Sequence, residues 1–221
     1  MYAQRAFQID RTRSLAFAAR RGYGQLCAVE AGRPIASSAP FCLDYAPDGT
    51  PLVSFHLAKA NPLARFADGS SNWLLIVSGD DCYVSPHWYA SSDQVPTWLY
   101  QAIHLTGPVS LMNAVQLDRH LDALSAHFEA ALAPKPVWTS IEVAAGRRQM
   151  MQQAIVGCTM AVETVEGSFK LNQHKADADY LALAGALAAQ GDCASLAIAA
   201  AMRQEKPQLF EDEMSVERSA T

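Results

Sequence analysis

A mainly β barrel with flanking helices is the fold class that the sequence predicts, and three features predict it. Six or so short strand signals follow one another at close spacing with turn residues between them. One clearly amphipathic helix follows most of them, and the 221 residues, half of them hydrophobic, suffice for a single sizeable core. No linker composition breaks the chain, so one domain over residues 1–204 is expected, with a charged, disordered tail at 205–221.

Asp10 is placed to cap a first helix that runs to about Arg20, where Gly22 ends it. Strand signals follow at 25–30 and 37–44, then the turn Pro47-Asp48-Gly49 and a strand at 52–57, which together read as a hairpin. In that last strand Val53, Phe55 and Leu57 share one face while Ser54 and His56 share the other. The segment AKANPLARFAD reads as a short helix whose first turn offers backbone N–H groups to a phosphate. Strands at 73–78 and 82–85 are expected to form a hairpin across Gly79-Asp80-Asp81, and a long strand from Thr97 is expected to end at Gly107-Pro108.

Leu117, Leu121, Leu124, Phe128 and Leu132 recur at helical spacing, which predicts an amphipathic helix lying on the barrel. His120 and His127 on that helix read as surface residues. A shorter helix at 142–153 leads into the strand IVGCTMAVETV, which is expected to turn at Glu166-Gly167 into FKL and close the barrel. Helices at 177–190 and 194–204 complete the pattern, with Gly191 stopping the first of them.

The stretch from Tyr83 to Gly107 concentrates Trp88, Tyr89, Trp98 and Tyr100 beside Ser85, Thr97 and His87. A plain connection carries small polar residues, so this density of rings and hydroxyls points to a flat guest with polar edges. Together with HLAKANP (56–62) upstream and KLNQHK (170–175) downstream, it resembles the PaiB-type family of FMN-binding negative transcriptional regulators. The resemblance runs in order from Met1 to about Met202. Its departures are Leu99 in VPTWLY, where an amide is expected, and Asn172 and His174 in KLNQH, where KLSQN is expected.

The resemblance implies a flavin-binding split β-barrel, FMN as cofactor, and a homodimer with the flavin at the subunit interface. It places cofactor contacts at His56, Lys59 and Asn61, with Arg65 on the same segment, and at Lys170 and Gln173, which would reach a flavin held mainly by the partner. Ser85, Trp88, Tyr89, Thr97 and Trp98 complete the candidate set. Trp88 and Trp98 are read either as stacking on the flavin or as filling the core or an interface.

A net charge of −5 and a sequence pI near 5.6 oppose non-specific attraction to DNA, so direct operator binding is not supported by charge. No signal-peptide core and no apolar run of membrane-spanning length occur, and the five cysteines fall at irregular spacings, which together predict a cytoplasmic protein with reduced thiols. No HExxH, GxSxG or glycine-rich phosphate loop occurs, so neither a metal site nor a catalytic nucleophile is assigned. The rival to a regulator is a flavin-dependent oxidoreductase acting on a small conjugated substrate, with His87 and His174 as candidate proton donors. Haem on a related barrel ranks behind both.

Overall fold

Alternation of apolar and polar side chains along 51–58 makes a strand with one dry face: Val53, Phe55 and Leu57 are buried while Ser54 and His56 are half-buried. That strand sits in a computed structural model that describes residues 1–211. The elements are β1 (Gln8–Ile9), α1 (Arg11–Arg21), β2 (Tyr23–Glu30), β3 (Arg33–Tyr45), β4 (Pro51–Ala58), β5 (Asp68–Val84), β6 (Thr97–Leu111), α2 (Ala114–Ala130), α3 (Ala145–Gln153), β7 (Ile155–Ala161), β8 (Thr164–Lys170), α4 (Asp177–Gln190) and α5 (Cys193–Glu205).

The strands hydrogen-bond in the order β1-β8-β6-β5-β2-β3-β4-β7, and a further β6–β7 pairing closes six of them into a ring. Closure removes the free edges that an open sheet would expose. The register is antiparallel: Phe41 faces Phe55 across β3 and β4, Phe55 faces Cys158 across β4 and β7, and Val109 faces Met160 across β6 and β7. Two glycines mark close approaches in this ring. A Cβ on Gly24 would lie 2.7 Å from the Ile76 carbonyl oxygen, and one on Gly107 only 1.8 Å from that of Ala161.

By contacts the chain divides into two units, and β5, β6 and β8 contribute residues to both. The barrel unit comprises Arg11–Val77 and Ile103–Glu166. Its interior is filled by Trp73, Phe41, Phe55, Leu26, Ile103 and Met160, all essentially inaccessible to water. The helix α2 begins with an Asn113–Gln116 capping box and packs on β3, β4 and β7. The second unit comprises Met1–Asp10, Ser78–Ala102 and the chain from Gly167. Here β1 pairs with β8, and α4 packs against α5 with the Tyr180 hydroxyl donating to the Met202 carbonyl at 2.8 Å. Asp179 on α4 accepts from both the backbone N–H (2.8 Å) and the hydroxyl (2.9 Å) of Ser91, which pins the aromatic loop to the helix.

Four expectations are corrected. Gly79-Asp80-Asp81 is not a turn, because β5 runs unbroken from Asp68 to Val84 with its polar residues turned toward water. The strand β6 does not stop at Gly107-Pro108 but continues to Leu111. Glu166-Gly167 lies inside β8, where Gly167 pairs with Ile9, and β7 and β8 both lie beside β6, the Glu163 N–H between them donating to the Thr106 carbonyl at 2.9 Å. The helix expected after β4 shrinks to one 3₁₀ turn, Pro62–Phe66. Of the tail expected at 205–221, residues 205–211 are placed, with Phe210 buried and its ring 6.5 Å from that of Tyr180; residues 212–221 lie outside the described part. No described helix is long and apolar enough to cross a membrane.

Candidate functional site

The barrel unit holds the HLAKANP segment. Lys59 follows the end of β4, where its backbone N–H donates to the Ala154 carbonyl at 2.9 Å and its ammonium is exposed with no acidic partner among the described residues. Asn61 is fixed at both ends: its amide donates to the Ser37 hydroxyl (2.9 Å) and its oxygen accepts from the Leu63 N–H (3.0 Å). The start of this turn therefore has little to give a phosphate. Pro62 has no N–H, that of Leu63 is taken by the Asn61 side chain, and that of Ala64 by the Asn61 carbonyl. Arg65 is engaged elsewhere, 3.4 Å from the Glu30 carboxylate. Of the four residues the sequence singled out here, Lys59 is the cation left free.

His56 turns a different way. Its Nδ1 lies 3.2 Å from Nε2 of His120, and burial lowers the pKa of both rings, that of His120 to about 4 with a further push from His56. His120 is only 4% exposed, which corrects its reading as a surface residue. The signal was present: 120 lies three residues after Leu117 and four before Leu124, on the stripe that faces the barrel. The pair borders a cavity of about 270 Å³ lined by His56, Leu121, Trp138, Arg148, Met151 and Ile155, among others. His127, by contrast, is exposed as expected.

The second unit holds the other candidates. Tyr89 is buried, and its hydroxyl accepts from the Asn172 amide at 2.8 Å. The Lys170 ammonium donates to the Thr97 hydroxyl (2.7 Å), and that of Lys175 donates to the Gln94 side chain (2.6 Å) while lying over the Tyr89 ring. Tyr89, Thr97, Lys170, Asn172 and Lys175 line a cavity of about 190 Å³ together with Gln4, Phe7, Val95 and His174, and no carboxylate is among them. Partial burial, then Lys175, Lys170 and Lys206, lower the pKa of His174, so the ring stays neutral in a positive field. The chemistry is that of an anion site.

Gln173, expected to be free for a ligand, is occupied. Its amide donates to the Phe169 carbonyl (2.6 Å) and its oxygen accepts from the Leu171 N–H (2.9 Å), bracing the turn in which Asn172 takes a φ of +59°. Ser85 accepts from the His87 N–H and caps the 3₁₀ turn 86–88, Trp88 is half-buried, and Trp98 is 54% exposed with its ring edge against Tyr83. Leu99, the departure in VPTWLY, belongs to the core. Sequence reasoning missed Lys175 and Gln94: the fold lays the Lys175 ammonium over the Tyr89 ring and against the Gln94 side chain.

A ring of six antiparallel strands with flanking helices is a split-barrel architecture, a fold shared with solved flavin-binding proteins. A family model described as "Putative FMN-binding domain" matches residues 1–164, and the chain belongs to that family; FMN is the cofactor. The chain is 26% identical over 182 residues to the Protease synthase and sporulation protein PAI 2 of Bacillus subtilis, covering 82% of this chain and 86% of that protein. Among solved structures it shares the fold of the FAD and heme binding protein of Mycobacterium smegmatis (TM-score 0.55, 19% identity, 79% of each chain). It also shares that of the flavocytochrome Anf3 of Azotobacter vinelandii (TM-score 0.51, 16% identity, 76% of this chain and 72% of that one).

The donor set fits the cofactor. FMN needs cations for its phosphate and polar contacts at its ring edge, and the described residues offer Lys59 in one unit and the Lys170, Lys175 and Thr97 group in the other. Each cavity alone is smaller than the roughly 300–1,000 Å³ that encloses a drug-sized ligand.

Proposed function

We propose that the protein is a homodimeric FMN-binding negative regulator of gene expression of the PaiB type. It acts through its flavin or through a partner protein rather than by reading DNA bases itself. The observation that carries this reading is the family match over residues 1–164, supported by the relative in Bacillus subtilis along most of its length. Lys59 holds the phosphate, and Lys170 with Thr97 serves the ring edge of the flavin bound mainly by the second copy. At about 190 Å³ the cavity beside Lys170 and Thr97 is too small to enclose FMN alone, which favours completion by a second chain. When bound, FMN supplies a reversible electron acceptor; the chain's own residues fix its position and hold positive charge near its edge.

The indirect mode rests on α5. A base-reading helix needs basic residues on an open face, whereas α5 buries Ser195, Ile198, Ala199 and Met202 and carries Arg203 as its one basic residue. The acidic balance of the chain points the same way. The test pairs a deletion strain with the pure FMN-loaded protein. Deletion should raise expression of a set of genes, and the protein alone should give no sequence-specific, salt-dependent shift of their promoter DNA. An unchanged transcriptome would end the regulatory reading, and a specific shift would end its indirect form.

A further inference from the structure

The cavity beneath α2 and α3 is not accounted for by an FMN phosphate or by a regulatory contact. Its walls are mostly apolar, with Leu121, Trp138, Val143, Met151 and Ile155, and His56 lies among them. At about 270 Å³ it exceeds the roughly 150 Å³ that takes a benzene and falls below the drug-sized range, which suits a single substituted ring.

The polar groups restrict the guest further. Arg148 lines the cavity, but its guanidinium lies 3.5 Å from Asp118 and 3.6 Å from Asp122 and donates to the Ser140 hydroxyl at 2.7 Å, so its charge is already balanced. An anionic guest gains little there. Ser125 and Gln152, also in the lining, donate to the Leu121 carbonyl (2.9 Å) and to Asp118 (2.6 Å), and the histidine pair sets the next contact. Nδ1 of His120 is buried with no hydrogen-bond partner, and an orphaned N–H is rarer in folded proteins than an orphaned lone pair. The hydrogen of His120 therefore sits on Nε2, which donates to Nδ1 of His56 at 3.2 Å. His56, neutral and accepting at Nδ1, carries its own hydrogen on Nε2 and has one N–H left to give.

We infer that this cavity is a binding site for a small neutral aromatic molecule bearing a carbonyl-type acceptor, which His56 hydrogen-bonds and the Trp138–Met151–Ile155 walls enclose. Of the residues that the resemblance places at the cofactor, His56 lines this cavity, whereas Lys59, Thr97 and Lys170 do not.

The test is calorimetric titration of the full-length protein, with and without FMN, using acetophenone, ethylbenzene as its counterpart without an acceptor, and benzoate as an anion. Acetophenone should bind one per chain, ethylbenzene about tenfold more weakly because it covers the His56 N–H without accepting from it, and benzoate no better than acetophenone. FMN should leave acetophenone affinity unchanged, His56→Phe should erase the preference for acetophenone over ethylbenzene, and Met151→Trp should abolish binding. Met151 is more than half exposed, so its replacement should fold; Val143→Trp plugs the same space from another element and serves if it does not. Non-saturating titrations, equal affinity for acetophenone and ethylbenzene, competition by FMN, or full affinity in both plugged variants would overturn the proposal.

Discussion

Replacing Gly107 by alanine should loosen the seam that closes the barrel. The added Cβ would stand 1.8 Å from the Ala161 carbonyl oxygen and 3.3 Å from Cα of Val162, both backbone atoms that no rotamer change can move. Reaching the 3.0 Å below which real Cβ contacts essentially never fall requires the two segments to part by about 1.2 Å. That movement strains the bond from the Glu163 N–H to the Thr106 carbonyl, 2.9 Å in the structure, and the adjoining Val109–Met160 pairing. Overpacking costs about 1–3 kcal/mol and a lost backbone bond about 1 kcal/mol more, so a loss of roughly 2–4 kcal/mol is expected from a total of about 5–15. With a urea m-value of about 2 kcal/mol/M, the midpoint should fall by about 1–2 M, followed through tryptophan fluorescence, which Trp73 inside the barrel reports. A midpoint equal to that of the parent would mean that β6 and β7 do not approach as described, and the closed ring would have to be abandoned.

Other substitutions probe the remaining features. Gly185→Ala, in the interior of α4 with nothing within 4 Å of the new methyl, should stabilise by about 0.5–1 kcal/mol in the same melt; destabilisation would show a hidden contact. Lys59→Met should weaken FMN binding about 10- to 100-fold, as expected for losing a charge-assisted phosphate bond, whereas Arg65→Met should change it little because Arg65 faces Glu30; equal losses in a fluorescence titration would refute the assignment. The pKa of His120 falls from an ordinary 6.5 to about 4 in the fold, so the unfolded chain binds the extra proton first. Stability from this residue is full above about pH 6.5 and is lost as pH drops toward about 4; His120→Leu should flatten that part of a stability-versus-pH curve, and an unchanged curve would exclude burial of the neutral ring.

The strands of the barrel were legible wherever alternation and burial coincide, as in Val53, Phe55 and Leu57 of β4. They were misread where a turn-like composition sits within a strand. Gly79-Asp80-Asp81 looks like a hairpin turn, yet at this point β5 passes from the barrel unit into the second unit, with Asp81 exposed and Asp80 half-buried on opposite faces of the strand. Pro108 similarly signalled an end that β6 does not make. The candidate site was legible as segments and not as clusters. Residue types marked Lys59 and Lys170, but their commitments depend on folded neighbours: Gln173 is spent on its own turn, Arg65 on Glu30, and His120 is drawn inward by helical spacing that its polar side chain disguised.

The most direct measurement of the central claim is the visible absorption spectrum of the purified protein before and after adding FMN, with mass identification of any released chromophore. Flavin bands approaching one FMN per chain, weakened by Lys59→Met, are the expected result. A colourless protein that leaves the spectrum of added FMN unchanged would contradict the account.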